Sequence, residues 1–241
     1  MITRTFETAA ALAGALAERV RVAIEARPAL VLGLPTGHTP LPFYAALRAE
    51  TRARRIDWSG VRTFNLDEFV GLECAAPGSY RHYMDHELFG AVGIPAEHIG
   101  FLDGCAADLE SECARYERAI AAAGGIDVMI LGIGANGHIG FNEPARELEP
   151  RTHRVRLLEA TRAANRAWFG DRLESVPLEA MSMGMATILQ SRQVVLIATG
   201  ETKNNAVERM LDGPITTELP ASFLQLHPNA TVMLDPAATP R

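Results

Sequence analysis

Cysteine is scarce in this 241-residue chain: Cys74, Cys105 and Cys113 are the whole complement, with no CxxC spacing. An odd number without CxxC spacing fits a reducing compartment better than a disulfide framework. Basic charge is in deficit as well, with 23 Lys and Arg against 29 Asp and Glu, a formal net charge of -6. That balance argues against a general nucleic-acid binder, which carries a basic face. It leaves room for a small anion, because a few backbone N–H groups and one lysine suffice to hold a phosphate. No run approaches the roughly 18 apolar residues of a membrane span. The first 20 residues are rich in small side chains, but Glu7 and Glu18 flank the run, and the apolar centre of a signal peptide is missing. Internal repeats, low-complexity tracts and linkers are absent too. These absences lead us to expect a soluble, cytoplasmic protein with no nucleic-acid or membrane partner. It should form one domain over residues 1–241, with a homo-oligomer allowed.

What is present is an apolar fraction of 48%, ample for a core, laid out as two alternating kinds of segment. Helical patterns cover residues 8–27, 40–54, 79–92, 106–123, 159–169 and 202–211. Short apolar runs at 29–34, 61–66, 126–133, 193–199 and 230–234 read as buried strands. The alternation predicts an α/β fold, a single-domain open, mostly parallel sheet with helices on both faces. Ligands of such folds sit at the carboxyl ends of the strands, and every glycine-rich or acidic cluster falls at such an end.

Four clusters carry chemistry. Residues 32–40 (LGLPTGHTP) turn from a strand toward a helix, with Pro40 at the position proline favours in a first turn. Backbone N–H groups and the hydroxyls of Thr36 and Thr39 would face an anion there; a plain strand–helix turn is the alternative. In residues 64–69 (FNLDEF), two adjacent carboxylates follow a strand. Either one of the two sits in a crevice as a base with a raised pKa, or Asp67 caps a helix. Residues 131–144 (LGIGANGHIGFNEP) match GxGxxG, but Gly140 and Pro144 argue against the helix a dinucleotide site requires. What remains is a loop presenting His138 beside Glu143, a pair able to move protons, or else a structural loop with a hydrogen-bonded histidine. Residues 199–203 (TGETK) place Lys203 at another helix start, aimed at a phosphate or simply at solvent. His82 and His86 have the spacing of metal ligands without the glutamate of HExxH, and read as helix-surface residues. No spacing gives the cysteines, Trp58 or Trp168 a function.

Taken together, LGLPTGHTP, FNLDEFVGL, SYRHYM, GANGHIGFNEPA, TRAANRAWF and LPASFLQLHPNATVMLD resemble, in the same order, segments of the glucosamine-6-phosphate deaminase (isomerase) family. The related 6-phosphogluconolactonases share the glycine–histidine loop, whereas FNLDE and FNEP resemble the deaminases. The resemblance implies conversion of glucosamine 6-phosphate and water to fructose 6-phosphate and ammonia, with no metal or redox cofactor. It implies Asp67 as the base at C2, and His138 as the ring-opening shuttle, tuned by Glu143 and oriented by Asn136. It makes Thr36, Gly37, His38, Thr39 and Lys203 the phosphate anchor. Three departures stand out. Asn136 occupies a position that is aspartate in some members, so the imidazole depends more on Glu143. The family's phosphate arginine corresponds to Ala167, leaving Arg166, one residue earlier and about 100° around a helix, as its candidate replacement, with Arg172 as another. The residues of allosterically activated members are missing at Arg146, Glu147, His153 and Val155, which predicts no such activation. A deaminase for galactosamine 6-phosphate, a lactone hydrolase and a non-catalytic sugar-phosphate sensor remain alternatives at this level.

Overall fold

The computed structural model describes residues 1–240. Its elements in chain order are β1 (Ile2–Thr5), α1 (Ala9–Ala26), β2 (Val31–Leu34), α2 (Leu41–Arg54), β3 (Arg62–Asn65), β4 (Asp67–Phe69) and α3 (Tyr80–Met84). A π-helical turn, Asp85–Phe89, carries α3 into α4 (Gly90–Val92). Then come β5 (Ile99–Gly100), α5 (Leu109–Ala122), β6 (Val128–Leu131), β7 (His153–Arg156), α6 (Glu159–Asn165), β8 (Glu179–Ser182) and α7 (Met185–Leu189). The chain closes with β9 (Gln193–Ala198), α8 (Asn204–Asp212) and β10 (Ala230–Leu234).

Seven strands form one parallel sheet in the order β1-β10-β9-β6-β2-β3-β5. Side chains alternate across it, as the two-residue period of a strand requires. Val194, Leu196 and Ala198 of β9, with Met129 and Leu131 of β6, enter a core shared with α5 and α8. Their neighbours Val195, Ile197, Val128 and Ile130 enter the opposite core, under α1 and α2. Helix α1 shows the corresponding helical spacing. Its buried Leu12, Leu16, Val20 and Ile24 recur every fourth residue, each worth about 1.5–3 kcal/mol when fully covered. The Thr8 hydroxyl accepts the Ala11 N–H to start that helix.

A second sheet was not expected from the sequence: β4-β8-β7, antiparallel throughout. The chain leaves β3 at Leu66, whose N–H still donates to Leu34 of the first sheet while its carbonyl accepts from Met183 near the second. Asp67, the next residue, therefore stands where the two sheets meet. It lies in β4, opposite Ser182, and caps no helix. The predicted helix at 159–169 is α6 followed by a 3-10 turn, Arg166–Phe169. Helix α2 begins at Leu41, one residue later than expected, with Pro40 as its cap.

The strand order reverses direction between β2 and β6. From β2 the chain builds outward through β3 and β5, and from β6 it builds the other way through β9 and β10. Such a switch point opens a crevice beyond the carboxyl ends of the strands.

Candidate active site

That crevice is a cleft of about 550 Å³ lined by the segments following β2, β3, β6 and β9, four adjacent strands, and roofed by α6. A larger groove of about 1170 Å³ runs between α5 and β7, and none of the sequence-predicted site residues lines it. All of Thr36, Gly37, His38, Thr39, Asp67, Asn136, His138 and Lys203 border the cleft. Glu143 is buried behind it, against His138.

The loop after β2 is held from behind. Tyr44 donates its hydroxyl proton to the Pro35 carbonyl and Tyr83 to that of Gly37. Among the described residues, the N–H groups of residues 36–39 find no protein acceptor. Free amides beside the uncapped start of α2 are donors of the kind that suit an anion. Across the cleft stands Lys203, half-buried, with its ammonium pKa pushed down by desolvation. A bound phosphate would reverse that cost.

Asp67 is 6% exposed. Burial first, and the neighbouring Glu68 charge second, push its carboxyl up to about 8, while the Thr36 hydroxyl pulls it back. The adjacent carboxylate, Glu68, is buried as well and burial raises its pKa too, but hydrogen bonds offset part of that cost. Glu68 accepts from the N–H groups of Phe69, Tyr80 and Arg81 and from the Ser79 hydroxyl, all at 2.8–3.0 Å. The capping task that the sequence allowed for Asp67 thus falls to Glu68, which shares the start of α3 with Ser79. A strand's alternation turns one carboxylate to the cleft and the other to the helix.

In the loop after β6, His138 Nδ1 lies 3.2 Å from Glu143 Oε2. Asn136 donates its amide to the same oxygen at 2.9 Å and accepts the His138 N–H at 3.2 Å. Nδ1 is thereby occupied, which leaves Nε2 for a ligand. The ring lies flat on Gly134, where a Cβ would come within 2.5 Å of its atoms. Gly140, at φ +58°, runs so close to Asp67 that a Cβ there would sit 3.4 Å from Asp67 Oδ2 and 2.9 Å from Ser182 Oγ. Only glycine allows both approaches at these two positions. Glu143 is 8% exposed. Burial alone would raise its pKa, but His138, Thr161 and Asn136 together outweigh it and hold the carboxyl below its ordinary value.

Arg166 is a correction. It is exposed, its guanidinium 3.7 Å from Asp171, and it lies outside the cleft lining. The face of α6 and its 3-10 extension that roofs the cleft carries Thr161, Ala164, Asn165 and Trp168, spaced i, i+3, i+4 and i+7. Arg166 follows Asn165 and is rotated off that face. Arg172 is exposed too and borders no part of the cleft. Among the described lining residues, Lys203 is the sole lysine or arginine. Trp168, given no role by the sequence, stacks on His38 with ring centroids 4.7 Å apart and meets Tyr83 edge-on.

Sequence reasoning also missed Ser182, whose hydroxyl takes the Phe141 N–H, and Asn142, whose amide pins the loop to the Ile139 and Met183 carbonyls. The i, i+3, i+4, i+7 spacing was legible for the α6 face; nothing in the sequence singled out Ser182. His82 and His86 lie exposed on the surface. Among the described residues no three His, Cys, Asp or Glu side chains gather as a metal site.

A loop of free backbone amides, a buried carboxylate and an imidazole–carboxylate pair meet at one switch point of an α/β scaffold, the arrangement of an enzyme site. Residues 4–233 match the family described as glucosamine-6-phosphate isomerases/6-phosphogluconolactonase, and the chain belongs to that family. It is 49% identical to a glucosamine-6-phosphate deaminase of Rhodopirellula baltica, over 95% of this chain and 89% of that one. It is 45% identical to glucosamine-6-phosphate deaminase 2 of Bacillus subtilis, over 98% and 94%. The solved structure of a monomeric glucosamine-6-phosphate deaminase superposes with a TM-score of 0.96 at 39% identity, over 99% and 98%. A 6-phosphogluconolactonase from Thermotoga maritima shares the fold, with a TM-score of 0.76 at 21% identity over 97% and 98%.

Proposed function

We infer that this chain is a deaminase that converts glucosamine 6-phosphate and water to fructose 6-phosphate and ammonia. The observation that carries the reading is a buried carboxylate, Asp67, in the same cleft as the His138–Glu143 pair. Relatives 45–49% identical over nearly the whole chain bear that activity in their names and support the same conclusion.

The residues divide the chemistry among themselves. The amides of residues 36–39, the hydroxyl of Thr39, His38 and Lys203 seat the phosphate and so fix C1 and C2, while the Thr36 hydroxyl faces Asp67. His138 Nε2 takes the proton of the C1 hydroxyl and returns it to the ring oxygen, which opens the ring to the aldehyde. Glu143 and Asn136 hold the imidazole in place for both transfers. Asp67 then removes the C2 proton as a proton of the substrate ammonium passes to the C1 oxygen, forming an enolamine, and returns the C2 proton to C1. The resulting ketimine adds water at C2 and expels ammonia. An amino sugar that arrives as its ammonium favours ionised Asp67, because an opposite charge nearby lowers a carboxyl pKa.

The test is ammonia release by purified protein from glucosamine 6-phosphate and galactosamine 6-phosphate, side by side. Strong release from the first is expected. Release from the second alone, or hydrolysis of 6-phosphogluconolactone without ammonia from either, overturns the reading. Lys203→Ala should raise KM about 10- to 100-fold, the scale of one lost hydrogen bond between charged groups. Arg166→Ala should change KM less than about twofold, as expected of an exposed pair. Equal effects from the two would place the phosphate elsewhere. A phosphate ester does not cross a bilayer unaided, which supports a cytoplasmic location, and release of ammonia from an amino sugar supports a place in amino-sugar breakdown.

A further inference from the structure

A path of hydrogen bonds, buried at both ends and half-buried at Asn165, joins the two ends of the reaction machinery through the roof of the cleft. It starts at Glu68, neighbour of the base, which accepts the Tyr80 N–H at 3.0 Å. The Tyr80 hydroxyl donates to Asn165 Oδ1 at 3.0 Å, and Asn165 Nδ2 donates to the Thr161 carbonyl at 2.9 Å. The Thr161 hydroxyl then donates to Glu143 Oε1. Thr161 is 3% exposed, and a hydroxyl has one proton to give. The other carboxylate oxygen, Oε2, serves His138 and Asn136. With Oε1 anchored, the carboxylate cannot swing about its last bond without abandoning a buried donor, at a cost comparable to the whole hydrogen bond.

We propose that Thr161 is a positioning residue for ring opening: its hydroxyl, carried by α6, fixes the Glu143 carboxylate with Oε2 turned to His138. Asn165 and Tyr80 tether that grip to the strand bearing the base. The proposal rests on the deaminase reading above. Asn136 brings no charge to this group, so the anion facing the imidazole is Glu143 alone. The direction of the Glu143 pKa agrees, since Thr161 is among the three partners that offset its burial.

Two measurements decide it. In ligand-free protein, the Glu143 carboxyl carbon is followed by NMR against pH, assigned by its loss in Glu143→Gln. Thr161→Val should move this titration to higher pH, and Thr161→Ser should leave it in place. In kinetics, Thr161→Val should lower kcat/KM on ring-form glucosamine 6-phosphate about tenfold, the loss of one hydrogen bond to a charged group. It should barely affect the 5-deoxy analogue, which cannot form the six-membered ring. If Thr161→Val does not fold, Asn165→Ala, which frees the tether, should shift both readouts in the same direction and by less. A Glu143 titration and a ring-substrate rate that match the parent in the folded variant overturn the proposal. A parent protein that releases no ammonia sinks the deaminase reading instead, while the titration still decides whether Thr161 grips Glu143.

Discussion

Asp67→Asn should abolish turnover, lowering kcat by about 10³–10⁴-fold, the upper range for loss of a positioned acid–base group. Exchange of the C2 proton with solvent should stop with it. The amide keeps the shape of the carboxyl, so phosphate binding should survive, and KM or an inhibitor dissociation constant should change little. Exchange at the parent rate would remove Asp67 from the role of base. The pH behaviour follows from its environment. The side chain is nearly covered and its carboxyl sits at about 8, so kcat/KM of the parent should rise with pH up to that region. Stability moves the other way. The folded-state pKa lies above the unfolded value of about 3.9, so this group's contribution is fully present below about pH 4 and is lost as pH rises through about 8. Asp67→Asn, which never ionises, should therefore melt above the parent at pH 8.5 and gain nothing at pH 4. A gain of about 1 kcal/mol would appear as a Tm rise of about 2–4 °C. Equal melting temperatures at pH 8.5 would show that ionising Asp67 costs the fold nothing.

His138→Gln should have the second-largest effect, a fall of about 10²–10³-fold in kcat/KM on the ring form, again the scale of acid–base catalysis. Its imidazole rests on Gly134 and is held through Nδ1, leaving Nε2 to carry a proton between two oxygens. Glutamine can hydrogen-bond at that place but cannot pick up and release a proton near neutral pH. The 5-deoxy analogue bypasses the step and should lose far less. Equal losses on both substrates would move His138 from ring opening to the chemistry at C2.

The contrast between Asp67 and Glu68 shows where sequence reading reached its limit. Two adjacent carboxylates after a strand announced a site, but which one faced it depended on whether residue 67 continued a strand or started a helix. That choice is settled by pairing with β8, more than a hundred residues later. The second sheet was illegible for the same reason. Its strands have three or four residues, β7 is half-exposed, and their pairing is long-range. By contrast, β6, β9 and β10 are continuous apolar runs buried on both faces, and their sequences announce them. Within the site, side chains with distinctive chemistry stood out: His138, Glu143, Lys203. Thr161, Asn165, Tyr80 and Ser182 are ordinary residues for a helix or strand, and only their contacts give them a task. Arg166 came forward through the resemblance, one residue and about 100° off the family's position, and it is turned away from the cleft.

The outer edge of the large sheet pairs β1 with β10, residues 2–5 with 231–234. On a ribosome adding about 5–20 residues per second, β1 waits about 10–45 s for the strand that receives it. The four strands that frame the cleft all precede β10 in the chain, so the crevice can be assembled on the nascent chain while β1 still lacks a partner.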